Sequence, residues 1–321
     1  MSLLVTGCAG FIGSHTTQAL LKKGYNVIGV DNLNDYYNPD WKKQNLAKFK
    51  DETNFTFHCL DITDQASLEK LFKQASEEKN PISKIIHFAA RAGMRISIKQ
   101  PLLYSKVNIE GTLNLLELAR QFEVPHFIFA SSSSVYGNQK KVPFSETDPV
   151  NQPVSPYSAT KKAGEMLCHT YAHLYGINTS CLRFFTVYGP AGRPDMAPYL
   201  FTEAILKNKP IKKFGDGSTR RDYTYIDDIV NGVVSAVEHL FPFEIFNLGN
   251  NHPVSLNEFI AEIENATGKK AVIQQEPMQA GDVKQTYAGI DKAKKMLGFE
   301  PKTSLKEGLK RFVKWYKAER L

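Results

Sequence analysis

Residues 3–13 read LLVTGCAGFIG, and this stretch decides the fold. The β-type run Leu3–Thr6 leads into Gly7, Gly10 and Gly13, which are spaced three residues apart, and a helical pattern follows. A glycine turn between a strand and a helix lets backbone N–H groups approach a pyrophosphate at the helix N-terminus. Glycines also form turns for structural reasons alone, so the following segments have to decide between these alternatives.

Short apolar runs alternate with longer helical patterns through the first half of the chain. A run that is apolar throughout is typical of a strand covered on both faces of its sheet. In residues 107–121, VNIEGTLNLLELARQ, apolar residues recur at near-helical spacing. The alternation predicts an α/β fold with a Rossmann-type, doubly wound parallel sheet. The predicted strands are Leu3–Thr6, Val27–Val30, Phe55–His58, Ile85–Phe88 and Phe127–Ala130.

The pattern changes after about Phe184, where Gly, Pro and Arg become frequent, as in TVYGPAGRPDMAP (186–198). Loops of this kind, held by a rigid sheet, commonly carry binding residues. We therefore predict a dinucleotide-binding domain of residues 1–180, to which 222–248 returns. Residues 181–221 and 249–321 are predicted to form a smaller, mixed α/β substrate-binding domain.

Composition and charge exclude several classes of protein. Hydrophobic residues make up 42% of the 321 residues and charged residues 23%, which is typical of a globular protein. No apolar run is long enough for membrane insertion, and the N-terminus lacks the pattern of a signal peptide. The charge of +7 comes from dispersed Lys and Arg, so no nucleic-acid partner is expected. Cys8, Cys59, Cys168 and Cys181 have no metal-binding spacing, so we expect no metal and a cytoplasmic location.

The second predicted strand is followed by Asp31, which lies 18 residues past Gly13. A carboxylate at this place accepts hydrogen bonds from the adenosine ribose and repels a 2′-phosphate. The glycine turn and Asp31 together predict NAD, in preference to NADP. An incidental acid beside a structural turn is the alternative.

Tyr157 and Lys161 lie four residues apart in SPYSATKKAGE (155–165), at the start of a predicted helix. This spacing puts both side chains on one face of the helix. The strand Phe127–Ala130 runs into four serines, 131–134, at the end of the sheet where ligands bind. An ammonium and an oxidised nicotinamide nearby both favour a phenolate. The pattern therefore predicts Tyr157 as a base with a serine in its proton path, a surface Tyr/Lys pair being the alternative.

Together these motifs resemble one family. GCAGFIG (7–13), Asp31, HFAA (87–90), SSSSVYG (131–137) and YSATK (157–161) resemble the extended short-chain dehydrogenases/reductases that act on nucleotide sugars. Four further segments, at 32–37, 92–97, 183–201 and 221–230, resemble the UDP-glucuronate 4-epimerases. The resemblance covers essentially the whole chain.

The resemblance implies a role for each matching position. Ser132, Tyr157 and Lys161 match the family's catalytic residues. The implied cofactor-binding residues are Gly7, Gly10, Phe11, Ile12, Gly13, Asp31, Asn32, Asp61, Ile62, Ala89 and Ala90, together with Tyr157 and Lys161. The implied substrate-binding residues are Ser133, Ser134, Thr186, Arg193, Arg221 and Asp282. Among these, Thr186 and Arg193 match positions that hold a sugar carboxylate, and Arg221 and Asp282 match contacts to the diphosphate and uridine.

Several positions depart from the family pattern and bear on the substrate. Arg91 stands where relatives often have a smaller polar residue, and Gln279 stands where many sugar epimerases have Arg. Met94 and Ile96 stand at positions of the 92–97 segment where the resembled family more commonly has other residues. For Arg193, a salt bridge that closes its own loop is the alternative role.

The residue before VYG distinguishes reactions within the resembled family. A dehydratase or decarboxylase typically has an acid there, because water has to leave as a neighbouring proton is removed. This chain has Ser134 at that position. The serine predicts a redox-neutral epimerisation.

The sequence thus predicts an NAD-dependent enzyme that inverts carbon 4 of a UDP-hexuronic acid, converting UDP-glucuronate to UDP-galacturonate through a 4-keto intermediate. One alternative is a 4-epimerase of neutral UDP-galactose or a UDP-N-acetylhexosamine. Another is a non-catalytic, dinucleotide-sensing protein, which the presence of Tyr157 and Lys161 disfavours. The expected partners are the UDP-sugar and a second copy of the chain, and the expected setting is polysaccharide biosynthesis.

Overall fold

In the computed structural model, residues 1–278 and 283–321 are described. The strands are β1 (Ser2–Thr6), β2 (Asn26–Asp31), β3 (Phe55–Cys59), β4 (Ile82–His87), β5 (His126–Ser132), β6 (Asn178–Phe184), β7 (Thr186–Tyr188), β8 (Pro210–Phe214), β9 (Arg220–Tyr225), β10 (Phe243–Leu248), β11 (Pro253–Ser255) and β12 (Val272–Glu276). The helices are α1 (Phe11–Lys22), α2 (Pro39–Ala47), α3 (Gln65–Glu77), α4 (Met94–Lys99), α5 (Pro101–Ser105), α6 (Gly111–Gln121), α7 (Pro156–Tyr175), α8 (Ala197–Leu206), α9 (Ile226–Glu238), α10 (Leu256–Thr267), α11 (Asp291–Leu297) and α12 (Leu305–Glu319).

Within the described residues, seven strands form the main sheet in the order β10-β6-β5-β4-β1-β2-β3. β1 pairs in parallel with both β2 and β4, β2 with β3, and β4 with β5. The chain moves from β1 outwards to β3 and then returns to the other side of β1 with β4. The predicted doubly wound sheet is confirmed, and its order reverses at β1 and β4, where such sheets bind ligands.

Burial on both faces explains why the strands are apolar throughout. Leu4, Ile85 and Phe127 are fully buried, and Leu116 of α6 packs in the same core cluster. Gly164 lets α7 approach the sheet closely, since a Cβ there would lie 2.3 Å from Cζ of Phe129. The helix that carries Tyr157 and Lys161 therefore rests directly on β5.

The chain divides into two compact units. The first is Met1–Gly137, Asp148–Arg183 and Val230–Phe246, and the second is Asn138–Thr147, Phe184–Ile229 and Asn247–Leu321. These bounds differ from the predicted domains: 138–147, 222–229 and 247–248 fall in the second unit, and 181–183 fall in the first. Hydrogen bonds to residues 287 and 288 tie 138–147 and 222–229 to the second unit. The Phe144 N–H donates to Tyr287 O at 2.7 Å, and the Ala288 N–H donates to Asp222 Oδ2 at 3.0 Å.

Smaller sheets organise the second unit. β9 pairs in parallel with β7 and antiparallel with β11, and β8 pairs in parallel with β12. Thr186 of β7 lies opposite Tyr223 of β9, two residues along from Arg221. Two of the predicted substrate-binding residues therefore lie on neighbouring strands.

Candidate active site

The glycine turn follows β1 directly and has room only for glycine. Gly7 has φ +71°, and a Cβ on it would lie 2.8 Å from Ala89 N. A Cβ on Gly13 would lie 2.0 Å from Gly7 O. Gly10 caps α1 without a side-chain hydrogen bond, and Phe11 and Ile12 begin the helix. The first N–H groups of this long helix are therefore available to an anion, as a pyrophosphate site requires.

Asp31 lies buried at the end of β2 and is held on both carboxylate oxygens. Its Oδ1 accepts from Leu33 N at 2.8 Å and from Lys42 Nζ at 3.2 Å, and its Oδ2 accepts from Ala9 N at 3.3 Å. Lys42, from α2, is as buried as the acid it pairs with. The predicted ribose-binding carboxylate is thus fixed against the glycine turn and carries a counter-charge that sequence reasoning missed.

A hydrogen bond between Asn32 and Asp61 links the segments that follow β2 and β3. Asn32 Nδ2 donates to Asp61 Oδ2 at 2.7 Å, and the Thr63 N–H donates to Asp61 Oδ1 at 2.8 Å. Burial raises the pKa of Asp61, but the hydrogen bonds from Thr63 and Asn32 and the charge of Arg91 outweigh it, so the net pKa is lowered. Asp61 is therefore held as a carboxylate, and Ile62 beside it is buried.

Behind Ala89 and Ala90, which follow β4, a buried histidine is hydrogen-bonded on both nitrogens. Ala89 N–H donates to Thr6 Oγ1 at 3.3 Å, and that hydroxyl lies 2.7 Å from His87 Nδ1. His87 Nε2 lies 3.0 Å from Thr112 Oγ1, which itself donates to Asn108 O at 2.7 Å. Burial and the charge of Lys161 lower the pKa of His87 to about 3. The ring is therefore neutral. Because the Thr112 hydroxyl donates its proton to Asn108 O, it can only accept from His87, so the His87 proton lies on Nε2.

The serine segment begins at the end of β5 and turns into a short 3₁₀ helix, Ser133–Tyr136. Ser132 Oγ accepts from Ser134 N at 3.2 Å. The Ser134 hydroxyl is buried and has no hydrogen-bond partner among the residues that the structure describes. Buried hydroxyls are normally hydrogen-bonded, so this one is a candidate for contact with a ligand.

Tyr157 and Lys161 lie in the first turns of α7, which Ser155 caps by accepting from Ser158 N at 3.1 Å. The Tyr157 ring lies edge-to-face with Tyr104, their centroids 6.3 Å apart. Lys161 is buried, and its Nζ donates to Ala130 O at 2.7 Å, two residues before Ser132. Burial lowers the pKa of Lys161 to about 8, although the charges of Cys168 and Glu165 oppose this. The structure thus brings the lysine against the strand end that carries the serines.

The second unit holds three of the predicted substrate-binding residues, Thr186, Arg193 and Arg221. Arg193 lies in the loop before α8, where its Nε donates to Asp195 Oδ1 at 3.0 Å and its Nη2 to Oδ2 at 2.5 Å. Arg221 of β9 donates from Nη1 to Arg220 O at 2.9 Å. Thr186 begins β7 and is half-buried. Asp282 and Gln279 lie outside the described residues.

Sequence reasoning missed three polar residues that support the first unit. Lys42 pairs with Asp31, and Tyr104 donates from its hydroxyl to Ala92 O at 2.5 Å. Asn108 accepts from Arg91 N at 2.7 Å and donates to Thr160 Oγ1 at 3.0 Å. A buried asparagine inside an apolar helical pattern was a usable signal for Asn108. Lys42 gave none, because the short helix α2 that carries it has no clear apolar periodicity in the sequence.

Neither a metal-binding cluster nor a membrane-spanning helix is present among the described residues. In this part of the chain, no group of three or more His, Cys, Asp or Glu side chains is arranged to hold a metal ion. Among the helices that the structure describes, none is long and apolar enough to cross a membrane.

Comparison with known proteins gives close matches along almost the whole chain. The family described as GDP-mannose 4,6 dehydratase matches residues 4–312. A UDP-glucuronate 4-epimerase of Thermodesulfobacterium geofontis is 49% identical over 315 residues, which cover 98% of this chain and 95% of that protein.

Solved structures also match almost the whole chain. The UDP-glucuronic acid 4-epimerase of Bacillus cereus, in complex with UDP-glucuronic acid and NAD, is 38% identical with a TM-score of 0.91. The UDP-glucose 4-epimerase of Thermotoga maritima, with UDP-glucose, is 36% identical with a TM-score of 0.90. Each comparison covers 99% of both chains. The chain therefore belongs to the GDP-mannose 4,6 dehydratase family of extended short-chain dehydrogenases/reductases, which confirms the family resemblance drawn from its motifs.

Proposed function

We propose that this protein is an NAD-dependent 4-epimerase that interconverts UDP-glucuronate and UDP-galacturonate. The observation that carries the proposal is the first unit's arrangement of Tyr157 and Lys161 on α7, with Lys161 bonded to the strand end that bears Ser132. The 49% identity to a UDP-glucuronate 4-epimerase supports the choice of substrate. Of the proposed substrate ligands, Ser133 and Ser134 belong to the first unit, and Thr186, Arg193 and Arg221 belong to the second.

The residues of the first unit fit NAD. The uncapped N-terminus of α1 suits the pyrophosphate, and Asp31 suits the adenosine ribose. Asn32, Asp61 and Ile62 would hold the adenine, and Ala89 and Ala90 the nicotinamide ribose. When bound by these residues, NAD would supply a reversible hydride acceptor for carbon 4 of the sugar.

The chain's own residues move the proton. Tyr157 accepts the proton of the 4-hydroxyl, with Ser132 in the path, and returns it after the sugar has turned over. Lys161 holds a positive charge near the phenol and so stabilises the phenolate. Because the redox change is reversed within each cycle, the residues around NAD have no need to release it.

The serine segment favours epimerisation over elimination. Ser134 stands where a dehydratase typically has an acid, and its buried hydroxyl has no partner in the described part of the chain. We propose that Ser133 and Ser134 bond the sugar. A hydroxyl in this place supplies a hydrogen bond without supplying the acid that loss of water needs.

Arg193 is the proposed ligand of the sugar carboxylate, with Thr186 as a further donor, while Arg221 and Asp282 are proposed for the diphosphate and uridine. A 4-keto hexuronate is a β-keto acid, which loses CO₂ when the breaking bond aligns with the ketone π system. A guanidinium fork fixes the orientation of a carboxylate as well as its charge. In this structure the Arg193 guanidinium binds Asp195. The sugar carboxylate therefore has to displace Asp195 or bind the guanidinium together with it.

A neutral-sugar 4-epimerase is the second candidate, and one observation favours it. Arg193 is already paired within its own loop, and the UDP-glucose 4-epimerase of Thermotoga maritima has nearly the same fold. On this alternative the Arg193–Asp195 pair simply closes the loop. The same assay separates the two candidates.

The test is to incubate the purified protein with UDP-glucuronate, UDP-glucose and UDP-N-acetylglucosamine, and to follow inversion at carbon 4 by NMR. We expect conversion of UDP-glucuronate at a kcat/KM far above that for either neutral sugar. Tyr157→Phe is the matched inactive control. Equal efficiency on UDP-glucose would transfer the proposal to the neutral-sugar candidate, and no conversion of any sugar would end it.

We further propose a homodimer formed through α6 and α7, and a place in supplying uronic acids to polysaccharide synthesis. Leu113 of α6 and Met166 of α7 are exposed apolar side chains on helices that pack together in the first unit. The cytoplasmic location is supported by four free cysteines.

A further inference from the structure

A fully buried ion pair joins α7 to β6 in the first unit. Arg183 and Glu165 are each 1% exposed. Arg183 Nε donates to Glu165 Oε1 at 2.8 Å, and Nη2 donates to Oε2 at 2.9 Å, so the contact is a two-pronged fork. Lys162 Nζ lies 3.5 Å from Oε2 at the edge of the pair. Neither Arg183 nor Glu165 has a role in the mechanism proposed above.

The same pair holds both ends of the serine segment. Ser131 Oγ donates to Glu165 Oε1 at 2.6 Å, and Ser131 immediately precedes Ser132. At the other end, Arg183 Nη1 donates to the Tyr136 hydroxyl at 2.9 Å, and the guanidinium carbon lies 4.8 Å from the centre of that ring. The residues between these two anchors are Ser132, Ser133, Ser134 and Val135.

The pair also holds the helix that carries the proposed base. Glu165 is four residues past Lys161 and eight past Tyr157, so all three lie along one face of α7. A single carboxylate therefore connects the strand end bearing Ser132 to the helix bearing Tyr157 and Lys161. The bond from Lys161 Nζ to Ala130 O is a second link between that strand end and the helix.

Stability alone does not account for such a pair. Replacing a buried ion pair with apolar residues of similar volume is often neutral or stabilising, because burial removes the hydration of both charges. A two-pronged ion pair whose hydrogen bonds are all satisfied instead fixes the positions of its two side chains relative to each other. We infer that Glu165 and Arg183 are positioning residues, which fix the Ser132 hydroxyl relative to the Tyr157 phenol and the Lys161 ammonium. This inference rests on the proposed function of those three residues.

The positioning role has a distinct kinetic consequence. A misplacement of about 1 Å between reacting groups costs roughly 100-fold in rate. The network contains none of the residues proposed to hold the pyrophosphate, the adenosine or the uridine diphosphate, so most binding contacts should survive its removal. Ser133 and Ser134, which lie between the two anchors, should lose only part of their hold on the sugar. Loss of the network is therefore expected to lower kcat by a far larger factor than it raises KM or the NAD Kd.

The main variant is the charge-balanced double substitution Glu165→Leu with Arg183→Met, which leaves neither partner as a lone buried charge. Its control is Lys23→Met with Glu238→Leu, which removes the exposed Lys23–Glu238 ion pair of the same unit. We expect the main variant to fold, to keep the NAD Kd and the KM for UDP-glucuronate within about threefold, and to lose roughly 30- to 100-fold in kcat. The control should keep its kcat. Arg183→Lys, which keeps the charge but not the fork, should lie between.

A second readout needs no sugar. Ultraviolet difference titration, with and without Tyr157→Phe in each background, isolates ionisation of the Tyr157 phenol. We expect its midpoint in the Glu165→Leu, Arg183→Met protein to rise by about half a pH unit or more, because the lysine is held less closely. Should the double variant fail to fold, Ser131→Ala with Tyr136→Phe removes both anchors and keeps the ion pair. The same fall in kcat is expected there.

The outcomes are separable. A folded variant with a kcat within threefold of the unmodified protein and an unshifted Tyr157 midpoint would overturn the inference. So would a parallel fall of kcat, NAD affinity and melting temperature, which is the sign of a merely structural pair. If the unmodified protein converts no UDP-sugar, the proposed function fails, and the Tyr157 titration still decides whether the network positions the phenol.

Discussion

At the scale of single residues, the Tyr157→Phe substitution removes one hydroxyl and keeps the ring that packs against Tyr104. If the phenol is the base, kcat should fall by about 10²- to 10⁴-fold, since that is the usual contribution of a positioned acid–base group. The NAD Kd should stay within about threefold. Tyr104→Phe is the matched control for loss of a neighbouring hydroxyl. Near-normal turnover by the Tyr157 variant would exclude it as the base.

Burial of Lys161 predicts how the stability of the folded protein depends on pH. Its folded pKa is about 8, against 10.5 for an ordinary lysine, so the unfolded chain binds more protons between these values. Stability contributed by this group therefore rises with pH across that window. Lys161→Met should melt at a higher temperature than the unmodified protein at pH 7, and this difference should shrink towards pH 10. Lys162→Met is the control, and a pH-independent difference would contradict the assignment.

The Asp31 carboxylate should decide between NAD and NADP, and its Lys42 partner sharpens the expectation. Asp31→Ala removes the acceptor for the ribose and leaves the Lys42 ammonium free to meet a 2′-phosphate. We expect weaker NAD binding and a smaller gap to NADP, measured as Kd values by calorimetry. Asp35→Ala, an exposed acid in the same loop, is the control. Equal affinity of the unmodified protein for both cofactors would remove the argument.

At the scale of elements, the loop between β7 and α8 is expected to set substrate choice through Arg193. Arg193→Ala should lose most of the preference for UDP-glucuronate over UDP-glucose and release CO₂ with a pentose product. Arg193→Lys should rescue only partly, because an ammonium lacks the fork. The measurements are kcat/KM for both sugars and CO₂ release. Unchanged preference in Arg193→Ala would assign the residue to its salt bridge with Asp195.

The sequence predicted those elements whose signals are local. The predicted strands overlap β1 to β5, because apolar runs depend on nearby residues. Ser255 with Glu258, and Ser304 with Glu307, have the spacing of a capping box, and the first pair forms one in full. At Ser304 the side chain accepts from Glu307 N, but the Glu307 carboxylate bonds Arg311 instead. The helix predicted over 107–121 begins as a π-helical turn, Lys106–Glu110. Contacts between distant residues, such as Lys42 with Asp31 and Arg183 with Glu165, had no signal in spacing.

At the scale of the whole molecule, the first unit carries all the proposed NAD ligands, and the proposed substrate ligands are divided between the two units. The glycine turn, Asp31, Ser132, Tyr157 and Lys161 all belong to the first unit. Thr186, Arg193 and Arg221 belong to the second, whereas Ser133 and Ser134, which are also proposed to bond the sugar, belong to the first. A substitution in the second unit is therefore expected to alter substrate choice without altering NAD affinity. This division explains why the chemistry was readable from motifs while the substrate needed comparison with relatives.

The proposed dimer is tested on the exposed face of α6 and α7. Met166 is 60% exposed and Leu174 59%, both on α7, so an apolar surface is available beside Leu113 of α6. A charge buried in a dimer interface without a partner is costly, so Met166→Glu should shift the mass from twice 36.1 kDa to 36.1 kDa. Sedimentation equilibrium measures this. Leu240→Glu, at another exposed leucine of the first unit, is the matched control and should leave the mass unchanged. A monomeric unmodified protein would refute the dimer, and an unaltered mass in Met166→Glu would place its interface elsewhere.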